Sequence, residues 1–180
     1  RLNLRQERAL PVSSLAARDQ RWNIPVCVRY GDESSQHSEC FLVDAPRFTA
    51  ILPTSRCPSW FHGNRNETGY YQWTSDEDSI RRLLEHGSIH LSESERMGLP
   101  QLIAVSRQAG TLSFEQFIRH IEKLASQTDP MMQEGILRSI ETLHTWIADS
   151  KRQAQFGHWV QHVLSPIHAQ LKSDGHPWKA

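Results

Sequence analysis

The sequence predicts an α+β chain built as two modules, a small β-sandwich over residues 1–75 and an all-α solenoid of helical hairpins over residues 76–180. Three observations carry that prediction. Up to about position 75, short β-branched and aromatic runs are broken by Pro, Gly and Asp, the punctuation of short strands. Beyond it, apolar residues recur at helical spacing. Between the two lies Trp60 to Asp76, reading WFHGNRNETGYYQWTSD, where aromatics flank a polar turn. In that turn Gly63 and Gly69 are expected to supply backbone angles that other residues resist. Thr74, Ser75 and Asp76 offer oxygens that cap a helix start.

In chain order, Leu2 and Leu4 begin a short alternating strand, ended by Pro11 and the Ser13–Ser14 turn. Arg21 to Tyr30 is the clearest strand, with Trp22, Ile24, Val26 and Val28 on one face at period two. Pro25 cannot donate to a ladder, so this strand lies at an edge or pairs regularly only beyond it. Gly31 to Ser38 reads as a polar loop, and Cys40–Val43 and Phe48–Leu52 as two further strands. Trp60–Phe61 and Tyr70–Trp73 supply a last pair. Some six short strands at this spacing suggest a small sandwich of the Ig-like kind.

The second module opens with a helix from Asp76 to Glu85 carrying Ile80, Leu83 and Leu84, with Gly87 where a terminating glycine belongs. Ser92-Glu93-Ser94-Glu95 is a capping box, and Pro100 then either restarts or kinks the run that reaches Gly110. Ser113 to Gln116 is a second box, leading into Phe114, Phe117, Ile118, Ile121, Leu124 and Ala125. Asp129-Pro130 starts the next helix, with Ile136, Leu137, Ile140, Leu143 and Ile147 as its stripe. Phe156, Trp159, Val160, Val163, Leu164 and Ile167 form the last. Five one-sided helices joined by short turns must stack on each other, as in HEAT or armadillo repeats.

Charge excludes some partners. The first 75 residues hold 9 Arg, 7 Asp plus Glu and no Lys, and the whole chain balances 20 basic against 20 acidic residues. Such a surface is not a polyanion-binding face, so no nucleic-acid partner is expected. No apolar run approaches the ~20 residues of a membrane span, so no membrane partner is expected either. Cys27, Cys40 and Cys57 are odd in number and lack metal-ligand spacing. They read as reduced, half-buried thiols of a cytoplasmic protein rather than a disulfide. The chain begins at Arg1 and reads as a piece of a longer protein.

Several segments, in order, resemble M1-family zinc aminopeptidases. Gly63-Asn64-x-Asn66-Glu67-Thr68-Gly69-Tyr70-Tyr71 is similar to the end of that family's β-sandwich domain, although Gln72-Trp73-Thr74-Ser75-Asp76 departs from the usual Arg-Val-Asn-Tyr-Asp. Leu4-x-Gln6-Glu7-Arg8 resembles its opening strand, and Trp22-x-Ile24-Pro25-Val26 its Trp-x-Ile-Pro strand. Leu91-Ser92 to Arg96-Met97-Gly98-Leu99, Ala104 to Phe114, and Val163 to Ile167 resemble segments of its helical domain. The resemblance implies a non-catalytic C-terminal region, truncated within the helical domain, that walls the catalytic cleft and shapes peptide access. Its implied partners are the parent's catalytic domain, which would hold the zinc, and the peptide substrate. No cofactor is implied in the chain itself. The alternative is an interaction scaffold from a catalytically inactive relative.

The chemistry of such a peptidase resides in a His-Glu-x-x-His helix with a second Glu, and this sequence contains no such motif. His158 and His162 share a helix face, but Gln161 and Trp159 occupy the inner positions and no third ligand fits. His86 and His90 straddle Gly87 and read as a helix end. Asp76-Glu77-Asp78 reads as acidic residues favouring a helix start rather than a cation site. The candidate residues are therefore those of the junction motif: Gly63, Asn64, Asn66, Glu67, Thr68, Gly69, Tyr70 and Tyr71. The expectation is that its aromatics, Tyr70 and Trp73 among them, pack between the modules.

Overall fold

A computed structural model of the chain describes residues 1–10, 14–16, 20–127, 129–146 and 150–173. The expected turn at Pro11 and Ser13, and Ile147 of the fourth stripe, lie outside the described residues. Among the described residues five strands come first: β1 (Leu2–Arg5), β2 (Ile24–Gly31), β3 (Gln36–Val43), β4 (Arg47–Ala50) and β5 (Trp60–His62). Five helices follow: α1 (Glu77–Arg82), α2 (Glu93–Gln108), α3 (Phe114–Ser126), α4 (Pro130–Trp146) and α5 (Ser150–Ser173). This is a small sheet region followed by helices, an α+β layout in two modules. Tyr70–Trp73, expected as a strand, is an irregular bend. Among the described residues no helix is long and apolar enough to cross a membrane.

The strands form two antiparallel sheets, β1–β4 and β3–β2–β5. Val26, Val28 and Tyr30 of β2 and Val43 of β3 are buried together, with Leu2, Leu4 and Phe48 of the other sheet packed against them. The period-two face of β2 is thus the core face, while Trp22, expected on it, precedes the strand and is 41% exposed. Gln6 clasps the sheet entrances: its side chain donates to the carbonyls of Trp22 and Ala45 and accepts from the Trp22 N–H.

The cysteine expectation is overturned. Cys27 and Cys40 face each other across β2 and β3 and are bonded as a disulfide, and Cys57 is free and exposed. Their Cα atoms lie 4.0 Å apart, the narrow kind of antiparallel pair in which neither residue hydrogen-bonds to the other's backbone. Pro25 opposite Leu42 is two residues along and of the same kind, so its nitrogen faces away from β3. On its other flank β5 pairs only with Arg29–Gly31. Proline therefore sits inside the middle strand without breaking a ladder bond. The turn from β2 to β3 is held by Asp32, whose Oδ1 accepts from the hydroxyls and backbone N–H groups of Ser34 and Ser35. These bonds, the Ser34 hydroxyl first, pull its pKa down to about 2.

The helices follow their caps. Asp76 accepts from the Ser79 N–H at the start of α1, and Ser92 and Ser113 each close a reciprocal capping box, with Glu95 and Gln116. The chain does not stop at Gly87. It passes through a π turn and a 3-10 turn to His90, and Gly87 keeps ordinary helical angles. Glycine is required there by contact, because a Cβ would lie 2.8 Å from Leu83 Cδ1 and 2.9 Å from the Trp60 ring. α2 is one helix with Pro100 inside it, and Pro100 packs so tightly on Gly135 of α4 that a Cβ at 135 would come within 2.7 Å. α2 ends at Gly110, φ 78°, with Thr111 N–H returning to the Ser106 carbonyl and Gly110 N–H to that of Arg107. Asp129 Oδ1 caps α4 by accepting from Met131 N–H. One apolar core runs from Trp60 through Ile80, Leu83, Leu99, Ile103, Ile121, Leu124 and Ile136 to Val163 and Ile167. Phe114 and Leu137, expected in the stripes, are 51% and 45% exposed.

Candidate functional site at the junction of the modules

β5 carries the chain along the end of β2 and releases it into the loop at 63–71, which lies between the sheet and the start of α2. Asn64 builds this loop. Buried to 2% exposure, it accepts from Gly69 N–H through Oδ1, and its Nδ2 donates to the Gly69 carbonyl and to Glu67 Oε2. Three hydrogen bonds from one amide close the turn much as a backbone pair would. The glycines serve contact rather than conformation, which corrects the expectation for them. A Cβ on Gly63 would lie 2.5 Å from the Trp73 indole, and one on Gly69 2.1 Å from the Tyr71 ring. The left-handed angles fall instead to Asn66 (φ 55°) and Glu67 (φ 53°). Thr68 donates its hydroxyl to the Arg65 carbonyl. Tyr71 donates its own to the Gly63 carbonyl at 2.8 Å, and burial, aided by the Glu67 carboxylate, pushes its pKa up to about 12. Tyr70 is fully exposed at 108%, so the aromatic packing is made without it. Trp73 does pack, edge-on to His62 and tilted against Phe61.

The two modules are pinned by a pair that the sequence did not single out. Glu95, in the first turn of α2, has 0% exposure. Its Oε2 accepts from Ser92 N–H at 2.8 Å, and its Oε1 accepts from Asn66 N–H at 3.0 Å. The same Oε1 lies 3.2 Å from Nε of Arg29 on β2. The remaining nitrogens of Arg29 donate to the His90 carbonyl and to Asn66 Oδ1. One guanidinium thus ties the sheet, the 63–71 loop, the turn at His90 and the start of α2. His62, 1% exposed, accepts from Asn64 N–H through Nδ1, and its Nε2 lies 3.3 Å from Glu67 Oε1. Gly98 of α2 admits that carboxylate, since a Cβ there would lie 2.5 Å from Glu67 Oε1. Trp60 completes the joint by stacking on His90, whose Nδ1 lies 2.9 Å from Gln36 Nε2 of β3.

The remaining candidates do not assemble. His158 and His162 are exposed on α5. His86 lies beside Glu85, while His90 is held in the joint. Asp76 caps α1; burial raises its pKa, and the bonds from Ser79 outweigh that and hold it low. Glu77 faces not Asp76 but His120 of α3, with Oε1 and Nε2 3.6 Å apart. Burial pushes the His120 pKa down against the pull of Glu77. Among the described residues no three His, Cys, Asp or Glu side chains converge as a metal-binding group.

The family model described as the ERAP1-like C-terminal domain matches residues 60–178. The chain belongs to that family. The matched stretch begins at the first residue of β5 and takes in the junction loop and all five helices, whereas β1 to β4 precede it. It supports the C-terminal domain of an M1-type aminopeptidase, in agreement with the motifs quoted from Gly63 onward, while those at Leu4–Arg8 and Trp22–Val26 lie outside the match. No curated protein matches the chain.

Proposed function

We propose that the chain is the non-catalytic C-terminal region of an M1-type zinc metallo-aminopeptidase, walling the catalytic cleft and shaping peptide access. The observation that carries this is the family match from β5 through α5, read together with the pin between Arg29 and Glu95. A wall must hold one orientation, and a fully buried carboxylate with two partners across the joint, Arg29 and Asn66, supplies that. In this reading the strands up to about residue 75 are an Ig-like sandwich. The helices beyond are stacked hairpins of the HEAT or armadillo kind, with α2 against α3 and α4, and α3 against α4 and α5. The parent's catalytic domain is the partner and would hold the zinc, which would supply the hydrolytic chemistry at the first peptide bond. Peptide is the second partner; nucleic acid and membrane are not. The cytoplasmic expectation rested on reduced cysteines, and the Cys27–Cys40 bond favours an oxidising compartment instead.

The test is a ladder of Leu-initiated peptides, together with a folded protein bearing the same N-terminal residue, supplied to the full-length parent. A wall predicts turnover that depends on peptide length and a folded substrate that resists. Equal turnover of peptide and folded substrate would remove the wall from the account.

A further inference from the structure

We propose that Asn66 carries an N-linked glycan. Asn66-Glu67-Thr68 is the sole Asn-x-Ser/Thr triplet in the sequence, and its middle residue is not proline. Asn3, Asn23 and Asn64 are each followed two positions later by a residue without a hydroxyl. The fold separates Asn64 and Asn66 as sharply as the triplet does. Asn64 is buried and spends both ends of its amide closing the loop. Asn66 is exposed at the crest of that loop, between exposed Arg65 and exposed Glu67 and Thr68.

The amide orientation is decisive. Arg29 Nη2 can only donate, so the atom facing it at 3.3 Å must be Asn66 Oδ1. Nδ2 therefore turns away from the guanidinium, and among the described residues it donates no hydrogen bond. In the transfer, Nδ2 forms a bond to C1 of an oligosaccharide, the bond from C1 to its lipid pyrophosphate carrier breaks, and the amide gives up one proton to the transferase. No oxidant or reductant is needed. The product keeps the carbonyl oxygen that Arg29 uses and one N–H, so the modification sacrifices no bond of the junction. The backbone N–H of Asn66 remains on Glu95. Glycan transfer occurs where disulfides form, and Cys27, bonded to Cys40 of β3, lies two residues from Arg29 on β2. The proposal rests on the oxidising-compartment reading above. A glycan here keeps this edge of the junction in solvent.

The experiment is peptide mapping of the full-length parent isolated from its own cells. Trypsin cuts after Arg65, and the peptide beginning at Asn66 is read by mass spectrometry before and after peptide N-glycosidase F. The expected result is a glycosylated peptide that the glycosidase converts to one with aspartate in place of the asparagine. In the parent carrying Thr68→Ala the glycan should be lost, and with Thr68→Ser it should remain. A peptide found only unmodified overturns the proposal. Mapping Cys27 and Cys40 without reduction in the same sample separates the two claims. A linked pair with unmodified Asn66 defeats the glycan alone, whereas free thiols with unmodified Asn66 defeat the compartment as well.

Discussion

Replacing Glu95 by alanine should damage this protein more than any change at the aromatic Tyr70, although both lie at the junction. The substitution strips the acceptor from Ser92 N–H and Asn66 N–H and leaves Arg29 Nε without its carboxylate. Removing one member of a buried ion pair costs about 3–5 kcal/mol. The Arg29 side chain is 20% exposed and keeps its bonds to His90 and Asn66, so the loss belongs at the lower end, about 3 kcal/mol. For a chain of this size that corresponds to a fall in Tm of about 6–12 °C. Glu95→Gln keeps the shape but turns one acceptor into a donor among donors, and should cost about 1–3 kcal/mol. Urea denaturation followed by tryptophan fluorescence reads both, since Trp60 and Trp73 sit at the joint. The double variant with Arg29→Ala should lose less than the sum of the singles, because the two side chains share one interaction. A Glu95→Ala loss below about 1 kcal/mol, or strict additivity, would refute the pin.

Three further outcomes follow from the packing. Tyr70→Ala should change stability by less than about 0.5 kcal/mol, the range of exposed sites, while Trp73→Ala, half-buried against His62 and Phe61, should cost about 2–3 kcal/mol by the same urea melts. Gly135→Ala brings a methyl within 2.7 Å of Pro100, and overpacking of about 1–3 kcal/mol should exceed the ~1 kcal/mol that alanine gains in a helix, so its Tm should fall. His120 binds its proton less readily when folded, because of burial first and then Arg119 and Arg81, with Glu77 and Glu85 opposing. The unfolded chain therefore takes up that proton first, and stability is lost as pH falls through about 6.5. His120→Gln should flatten that part of a Tm-against-pH curve.

The helical half was nearly all legible, because caps and apolar stripes act within a turn or two of themselves. Ser92, Ser113, Asp129 and Gly110 each do what their position predicts. The sheet was less legible for a local reason. Gln36 to Glu39 is polar throughout and none of it is buried, so a search for alternating apolar residues reads it as loop and starts β3 only at Cys40. With β3 shortened, the register that sets Cys27 opposite Cys40 is hidden, and the disulfide with it. Gly63, Gly69 and Gly87 were recognisable as necessary, but whether glycine serves angle or contact depends on which ring lies above it: Tyr71 folds back on Gly69 from two residues away, Trp73 reaches Gly63 from ten, and Trp60 reaches Gly87 from β5. Glu95 was visible as half of a capping box. Its burial comes from a strand more than sixty residues earlier, and nothing near Glu95 encodes that.

The measurement that bears most directly on the function is aminopeptidase activity toward Leu- and Arg-p-nitroanilide, with zinc added, for this chain and for its full-length parent. Activity in the parent and none in the chain is the result expected of a non-catalytic region of a zinc aminopeptidase. Activity in neither would make the chain part of a scaffold, and activity in the isolated chain would contradict the account outright.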